Sequence, residues 1–304
     1  MRSFAILVDT SCDLPDVYVD DYNIDTIPMT FSLDETEHPG GNWRDISPKD
    51  YYGALKAGGV AKTAQINPGT YAEVFKQYAE RGTDLICIVL SSGLSGSYDS
   101  AVNAALEVTA QYPDRTIIPV DSVNATGGHG MLTLLAAKKA EEGASASETA
   151  DWLNEIKHRV LAMFTVDDLN FLHRGGRLSK LSAVAGSLLG VKPLLNIAPD
   201  GSLRLKDKVR GRKTAIETLV SQMKRCAKEG GSLDNVMITH CDCEDDANKC
   251  ADLVKSAFEV KTVDVMMMGP VIGAHTGPGA IAAFILSDIA RTEYEEKYYP
   301  QKQG

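Results

Sequence analysis

The sequence has no apolar run approaching the roughly 20 residues that a membrane-spanning helix needs. Its opening, Met1 to Val8, holds too short an apolar stretch for a secretory core, and no small-residue cleavage site follows it. The expectation is a cytoplasmic chain with transient membrane contact at most. Positive charge is also scarce: 31 Lys and Arg face 41 Asp and Glu, a formal net charge of −10. Nucleic-acid binding rests on clustered cationic excess, so nucleic acid is excluded as the default partner, and anionic lipid surfaces are disfavoured on the same ground. Cysteine is sparse, with six residues in 304, and a reducing compartment keeps such thiols free. Cys87 falls within an apolar strand pattern and Cys226 and Cys250 fall on helix faces, where a thiol packs as a small hydrophobe. His240-Cys241-Asp242-Cys243 carries ligand-type residues but lacks the second spaced pair of a structural zinc site, so no metal is expected.

Nucleotide motifs are missing too. No Gly-x-Gly-x-x-Gly follows the first strand, and no Gly-x-x-x-x-Gly-Lys occurs, so no cofactor is expected. Gly93-Leu94-Ser95-Gly96-Ser97 comes nearest to a nucleophile elbow but has Ser where the second flanking Gly belongs.

The remainder reads as an ordinary globular protein, 44% apolar and 24% charged, long enough for one large domain or two of usual size. Apolar runs Phe4–Val8, Asp84–Leu90 and Thr116–Val120 read as buried parallel strands. Each ends in a loop rich in hydroxyls or carboxylates: Asp9-Thr10-Ser11, Ser91-Ser92-Gly93 and Asp121-Ser122. Tyr71, Val74, Phe75 and Tyr78 share a helical face, and Ser145 with Glu148 forms a capping box. This is the grammar of an open α/β sheet, which binds ligands beyond the carboxyl ends of its strands. A new strand begins near Val160, so the expected domains are 1–160 and 161–304. In the second, a basic stretch, His173-Arg174-Gly175-Gly176-Arg177, precedes an apolar helix with Ala183, Ala185 and Gly186. Pro193–Leu205 reads as a hairpin, and two further strands (Asn235–Thr239 and Val263–Met267) flank a helix over Ala247–Phe258. The apolar stretch Ala280–Ile289 follows Gly277-Pro278-Gly279, with Pro278 placed as near a helix start.

Three polar loops could carry chemistry. Ser91 to Tyr98 joins a buried strand to a helix, where backbone amides and the helix dipole suit an anion, although Ser95 could simply cap that helix. Thr63-Ala64-Gln65-Ile66-Asn67 is a second, and could equally be a plain turn into the Tyr71 helix. His275 stands in a third, among small and turn-forming neighbours, where a bulky side chain is expected to point at a ligand.

Taken in order, Val8-Asp9-Thr10-Ser11-Cys12-Asp13-Leu14-Pro15, Thr63-Ala64-Gln65, Ser91 to Tyr98, Asp121-Ser122, Arg174-Gly175-Gly176-Arg177 and His275-Thr276-Gly277-Pro278-Gly279 resemble the DegV family, bacterial fatty-acid-binding proteins of the FakB type. The resemblance implies an α/β fold of two domains, a three-layer α/β/α domain with a mainly parallel sheet beside a two-layer α/β domain. One long-chain fatty acid would lie between them. It implies that Thr63, Ser95 and His275 bind the carboxylate, with Ser92 able to share or replace the role of Ser95. It also implies a carrier, not an enzyme, that serves an ATP-dependent fatty acid kinase in phospholipid synthesis, with Arg177 and Arg210 as docking residues. The loop departs from the family at Ala64, where Ser is usual, and at Ile66-Asn67, where Pro-Ser is common. A monomer is expected. The competing reading is a serine hydrolase with Ser95 as nucleophile, His275 as base and Asp121 as its orienter. A phosphoryl-transfer enzyme is disfavoured by the missing phosphate loop and metal carboxylates.

Overall fold

The computed structural model describes residues 3–39, 43–178, 190–227 and 232–300. The helix expected around Ala183, Ala185 and Gly186 lies outside them. The strands before residue 160 are β1 (Phe4–Asp9), β2 (Asp25–Ile27), β3 (Phe31–Leu33), β4 (Thr36–His38), β5 (Ala61–Thr63), β6 (Asp84–Val89) and β7 (Ile117–Asp121). Those from residue 160 onward are β8 (Val160–Thr165), β9 (Val191–Ile197), β10 (Leu203–Arg210), β11 (Ser232–His240), β12 (Glu259–Met267) and β13 (Ile281–Leu286).

The first sheet is wholly parallel, in the order β2-β1-β6-β7. Alternation along its strands buries both faces. Leu7, Leu85, Cys87 and Val89 pack with Tyr71, Phe75 and Ala101 of the helices Pro68–Glu80 and Ser97–Gln111. Ile6, Val8, Ile86 and Ile88 face Met131, Leu132 and Leu153 of the helices Thr126–Glu141 and Ala146–Ile156. The expected capping box at Ser145 and Glu148 is present with both of its hydrogen bonds.

The second sheet is mixed, in the order β10-β9-β8-β13-β11-β12, and antiparallel except between β11 and β12. Its outer face (Leu161, Met163, Val236, Ile238, Ala283, Ile285) packs with the helices Arg212–Lys224 and Glu244–Ala257. Its inner face turns towards the helix Thr126–Glu141, which packs against strands of both sheets. Apolar burial on nearly every side of that helix follows from its position between two sheets. A small antiparallel sheet, β4-β3-β5, is an addition that the sequence reading did not contain.

One expectation fails outright. The apolar stretch Ala280–Ile289 does not begin a helix: Ile281–Leu286 is strand β13, paired between β8 and β11. A strand buried on both faces has no alternation, and a short apolar run carries no period that separates it from a buried helix. Gly277 and Gly279, both at positive φ, turn the chain into this strand.

Arg291 ties the two halves together. Its guanidinium is buried, at 2% exposure, and donates to Val160 O, Val123 O and Ala198 O. Val123 and Thr126 hold φ of 45° and 44°, an unfavourable region for β-branched residues. Val123 N donates to Asp121 Oδ1 at 2.9 Å while Arg291 binds the Val123 carbonyl at 2.6 Å, so the strained loop is fixed from both sides. Arg291→Met should therefore lower unfolding free energy by about 3 kcal/mol or more, because the carbonyls of Val160 and Val123 lose the guanidinium and that of Ala198 keeps only Gly201 N. Urea denaturation checks this, and a loss below about 1 kcal/mol would show that the staple is dispensable.

Candidate functional site

The loops after β1, β6 and β7 gather at the carboxyl ends of the parallel strands, as an open α/β sheet requires. Asp9 links two of them: Oδ1 accepts from Ser11 N and Oγ, and Oδ2 accepts from Leu90 N at 2.7 Å. Asp121 holds the next pair, accepting from Ser92 N at 3.1 Å and Ser92 Oγ at 2.5 Å. The hairpin turn closes over them, with Ser91 Oγ donating to Gly201 O at 2.9 Å.

Between these loops and the inner face of the second sheet lies a cavity, about 740 Å³ with the solvent space of its open mouth included. Its walls are mainly apolar, with Met29, Leu90, Leu94, Phe164, Ile197 and Phe284 among them. The polar exceptions include Thr63, Ser95 and His275, which come from three distant segments. Thr63 is the last residue of β5 and not a loop residue. His275 occupies the last turn of a short helix, Pro270–Thr276, and not a bare loop. The proline that starts a helix here is Pro270, whose ring fits the first turn, and not Pro278. Ser95 does not cap its helix; Gly96 is the N-cap, and Ser95 Oγ accepts from Ser97 N at 3.2 Å.

Hydrogen bonding prepares the Thr63 hydroxyl as a donor. His275 Nε2 lies 2.8 Å from Thr63 Oγ1. Nδ1 has no hydrogen-bond partner and packs on Gly175, where a Cβ would come within 2.1 Å of it. A proton on Nδ1 would be a buried donor without an acceptor, so the favoured tautomer carries it on Nε2. His275 then donates to Thr63 Oγ1, and the threonine hydrogen is free to donate into the cavity. Ser95 Oγ accepts from Ser97 N and lies 3.0 Å from Ser97 Oγ, which itself accepts from Ile66 N at 3.2 Å; either serine hydroxyl can donate across that pair. Burial, with Arg177 nearby, pulls the His275 pKa from 6.5 down to about 4, so the imidazole is neutral at physiological pH. Uncharged donors beside the Arg177 guanidinium, facing a mainly apolar chamber, suit a single anionic group attached to a long apolar body.

The other expected residues fall differently. Ser92 lies outside the cavity lining, its hydroxyl committed to Asp121. Arg177 is half-buried on the cavity wall, its Nε donating to Leu94 O at 3.1 Å and its NH1 to Gly175 O, so it is not a freely projecting cation. Arg210 is exposed at the end of the edge strand β10. Gln65 and Arg177 join the lining without having been read from the sequence as part of it. Gln65 could have been suspected from its place beside Thr63, but nothing in the spacing brings Arg177 there. The hydrolase constellation does not form: His275 pairs with Thr63, and Asp121 serves Ser92 and Val123. At His240-Cys241-Asp242-Cys243 the side chains diverge. Cys241 Sγ contacts Met268 Sδ and Thr276 Oγ1, Cys243 Sγ points to Ala280 O, and His240 Nδ1 accepts from Cys243 N.

Fold and cavity together give an α/β protein with a mainly apolar cavity that carries a few polar side chains. A family model described as an uncharacterised protein, DegV family, matches residues 3–288. The chain belongs to the DegV family. It is 34% identical over 288 residues to a DegV domain-containing protein of Clostridium perfringens, covering 95% of this chain and 99% of the relative. A DegV lipid-binding protein from Thermotoga maritima superposes with a TM-score of 0.82 at 30% identity, covering 95% of this chain and all of the other. A DegV family protein from Thermus thermophilus, described for its fatty acid binding, superposes with a TM-score of 0.84 at 27% identity, covering 94% of this chain and all of the other. Among the described residues, no helix is long and apolar enough to cross a membrane.

The depressed His275 pKa makes a signed prediction. Below the unfolded value of 6.5 the unfolded chain takes up a proton that the folded chain refuses, so His275 lowers stability as pH falls towards 4 and no further below it. The unliganded protein should lose roughly 2–3 kcal/mol to this group over that window. His275→Gln should flatten that part of the urea-measured profile. A wild-type and variant pair with superimposable pH profiles would show that His275 is not the group responsible.

Proposed function

We propose that this protein binds a long-chain fatty acid in the cavity and presents its carboxylate to a separate ATP-dependent kinase, in service of phospholipid synthesis. The kinase would transfer the γ-phosphoryl group of ATP to a carboxylate oxygen, releasing ADP and forming the acyl phosphate. One observation carries the binding reading: Thr63, Ser95 and His275, remote in sequence, line one mainly apolar cavity, with the Thr63 oxygen paired to His275 and its hydrogen left to donate elsewhere. A buried carboxylate needs several such donors, while the apolar wall accounts for the chain at about 0.8 kcal/mol per methylene. The two related proteins described as binding lipid and fatty acid support the same reading. The sequence carries no nucleotide motif, which supports a separate kinase as the source of phosphate. Docking is assigned to Arg210, exposed beside the hairpin; Arg177, packed on the cavity wall, is assigned to the site itself.

Organic extraction of the purified protein, before and after incubation with a fatty-acid mixture, tests the reading. One equivalent of fatty acid per chain is expected, and none under either condition would reject it. Thr63→Ala and Ser95→Ala should each weaken lipid binding by about 1.5–3 kcal/mol, roughly 10- to 150-fold in a competition assay. Unchanged affinity in both variants would remove them from the head-group site. Arg210→Ala should retain lipid while lowering kinase-dependent acyl phosphate formation; loss of lipid instead would place Arg210 in the pocket's support.

A further inference from the structure

If the cavity holds an acyl chain, as proposed above, one end of that chain must meet a wall. On the inner face of the second sheet the register aligns Leu203 with Ile197 and Ala162 with Phe284, and all four line the cavity. Leu203 is half-buried on the edge strand β10, whereas Phe284, on β13 deep in the sheet, is 2% exposed. The strand beyond β13 is β11, where Met237 stands opposite Phe284 and Thr239 opposite Ala282; neither lines the cavity. Along the row of the sheet through Ala162 and Phe284 the lining therefore ends at Phe284.

The ring is seated by an absence of side chains. Gly127 and Gly128 open the helix Thr126–Glu141 beside it. A Cβ on Gly127 would lie 2.9 Å from both Phe284 Cδ2 and Thr239 Cγ2, and one on Gly128 would lie 2.7 Å from Phe284 Cδ1 and 2.5 Å from Asn124 Oδ1. Neither glycine has a positive φ or belongs to the lining, so what the fold uses is the missing Cβ behind the ring. From this geometry we infer that Phe284, backed by Gly127 and Gly128, is the stop for the methyl end of the acyl chain and sets the longest chain the cavity accepts. The selectivity device then lies partly outside the cavity: a methyl group added behind the ring moves the wall inward.

The test is a competition assay over saturated fatty acids of increasing length. Phe284→Leu should move the optimum to longer chains. Gly127→Ala should push the ring into the cavity and weaken the longest wild-type ligand by about tenfold for every two methylenes excluded. Retained binding with an unchanged length profile in Phe284→Leu overturns the inference, and this variant decides alone if circular dichroism shows Gly127→Ala unfolded. Failure of the wild-type protein to bind any member of the series would instead reject the fatty-acid reading on which the inference rests.

Discussion

A hydrogen bond between residues 212 positions apart, Thr63 and His275, governs the chemistry of the cavity. It joins the small sheet that ends at Thr63 to the short helix that ends at Thr276, and it settles which way a hydroxyl points. A threonine whose oxygen is already occupied by an imidazole N–H can only offer its hydrogen elsewhere. Gly175 takes part by blocking the other ring nitrogen from any partner. The neutral state of the imidazole matters to the same end. A second cation beside Arg177 in this mainly apolar chamber would add a large desolvation penalty whenever the site stood empty, whereas two hydroxyls and a neutral ring add a smaller one.

The architecture explains how such a site can be assembled. Parallel strands deliver their loops to one edge, where short carboxylate bridges at Asp9 and Asp121 bind the loops to each other before any ligand is involved. The second sheet supplies a wall of side chains, and Arg291 fixes its distance from the first by donating to carbonyls in three segments. The helix Thr126–Glu141 packs between the sheets, against strands of both. The shape of the cavity and the folding of the chain are therefore not separable, because the same packing that buries the helix forms the cavity beside it.

Much of this could be read from residues alone, and the exceptions have physical causes. The runs from Phe4, Asp84 and Thr116 were legible because a parallel strand buried on both faces is continuously apolar and ends at a polar loop. The Ser145 capping box was legible because both partners are local. The last strand was not, since Ile281–Leu286 has the same composition as a buried helical turn and only its neighbours β8 and β11 decide. The site was legible as a set of residue types: Thr63, Ser95 and His275 do share one cavity. Their supports were not, because Gly175 against His275 and Ser97 against Ser95 are contacts of shape and hydrogen bonding that spacing does not encode. Arg177 shows the same limit: a basic stretch reads as a surface, yet this side chain folds back onto the loop at Leu94.

The central claim, that uncharged hydroxyls aligned by neighbouring groups hold a buried carboxylate, is tested most directly by nuclear magnetic resonance of a fatty acid labelled with carbon-13 at its carboxyl carbon. The account requires a single bound resonance, one per chain, that moves in Thr63→Ala and in Ser95→Ala and stays in place in Arg210→Ala. A carboxyl resonance identical to that of the free acid, or a bound resonance indifferent to both hydroxyls, would contradict it.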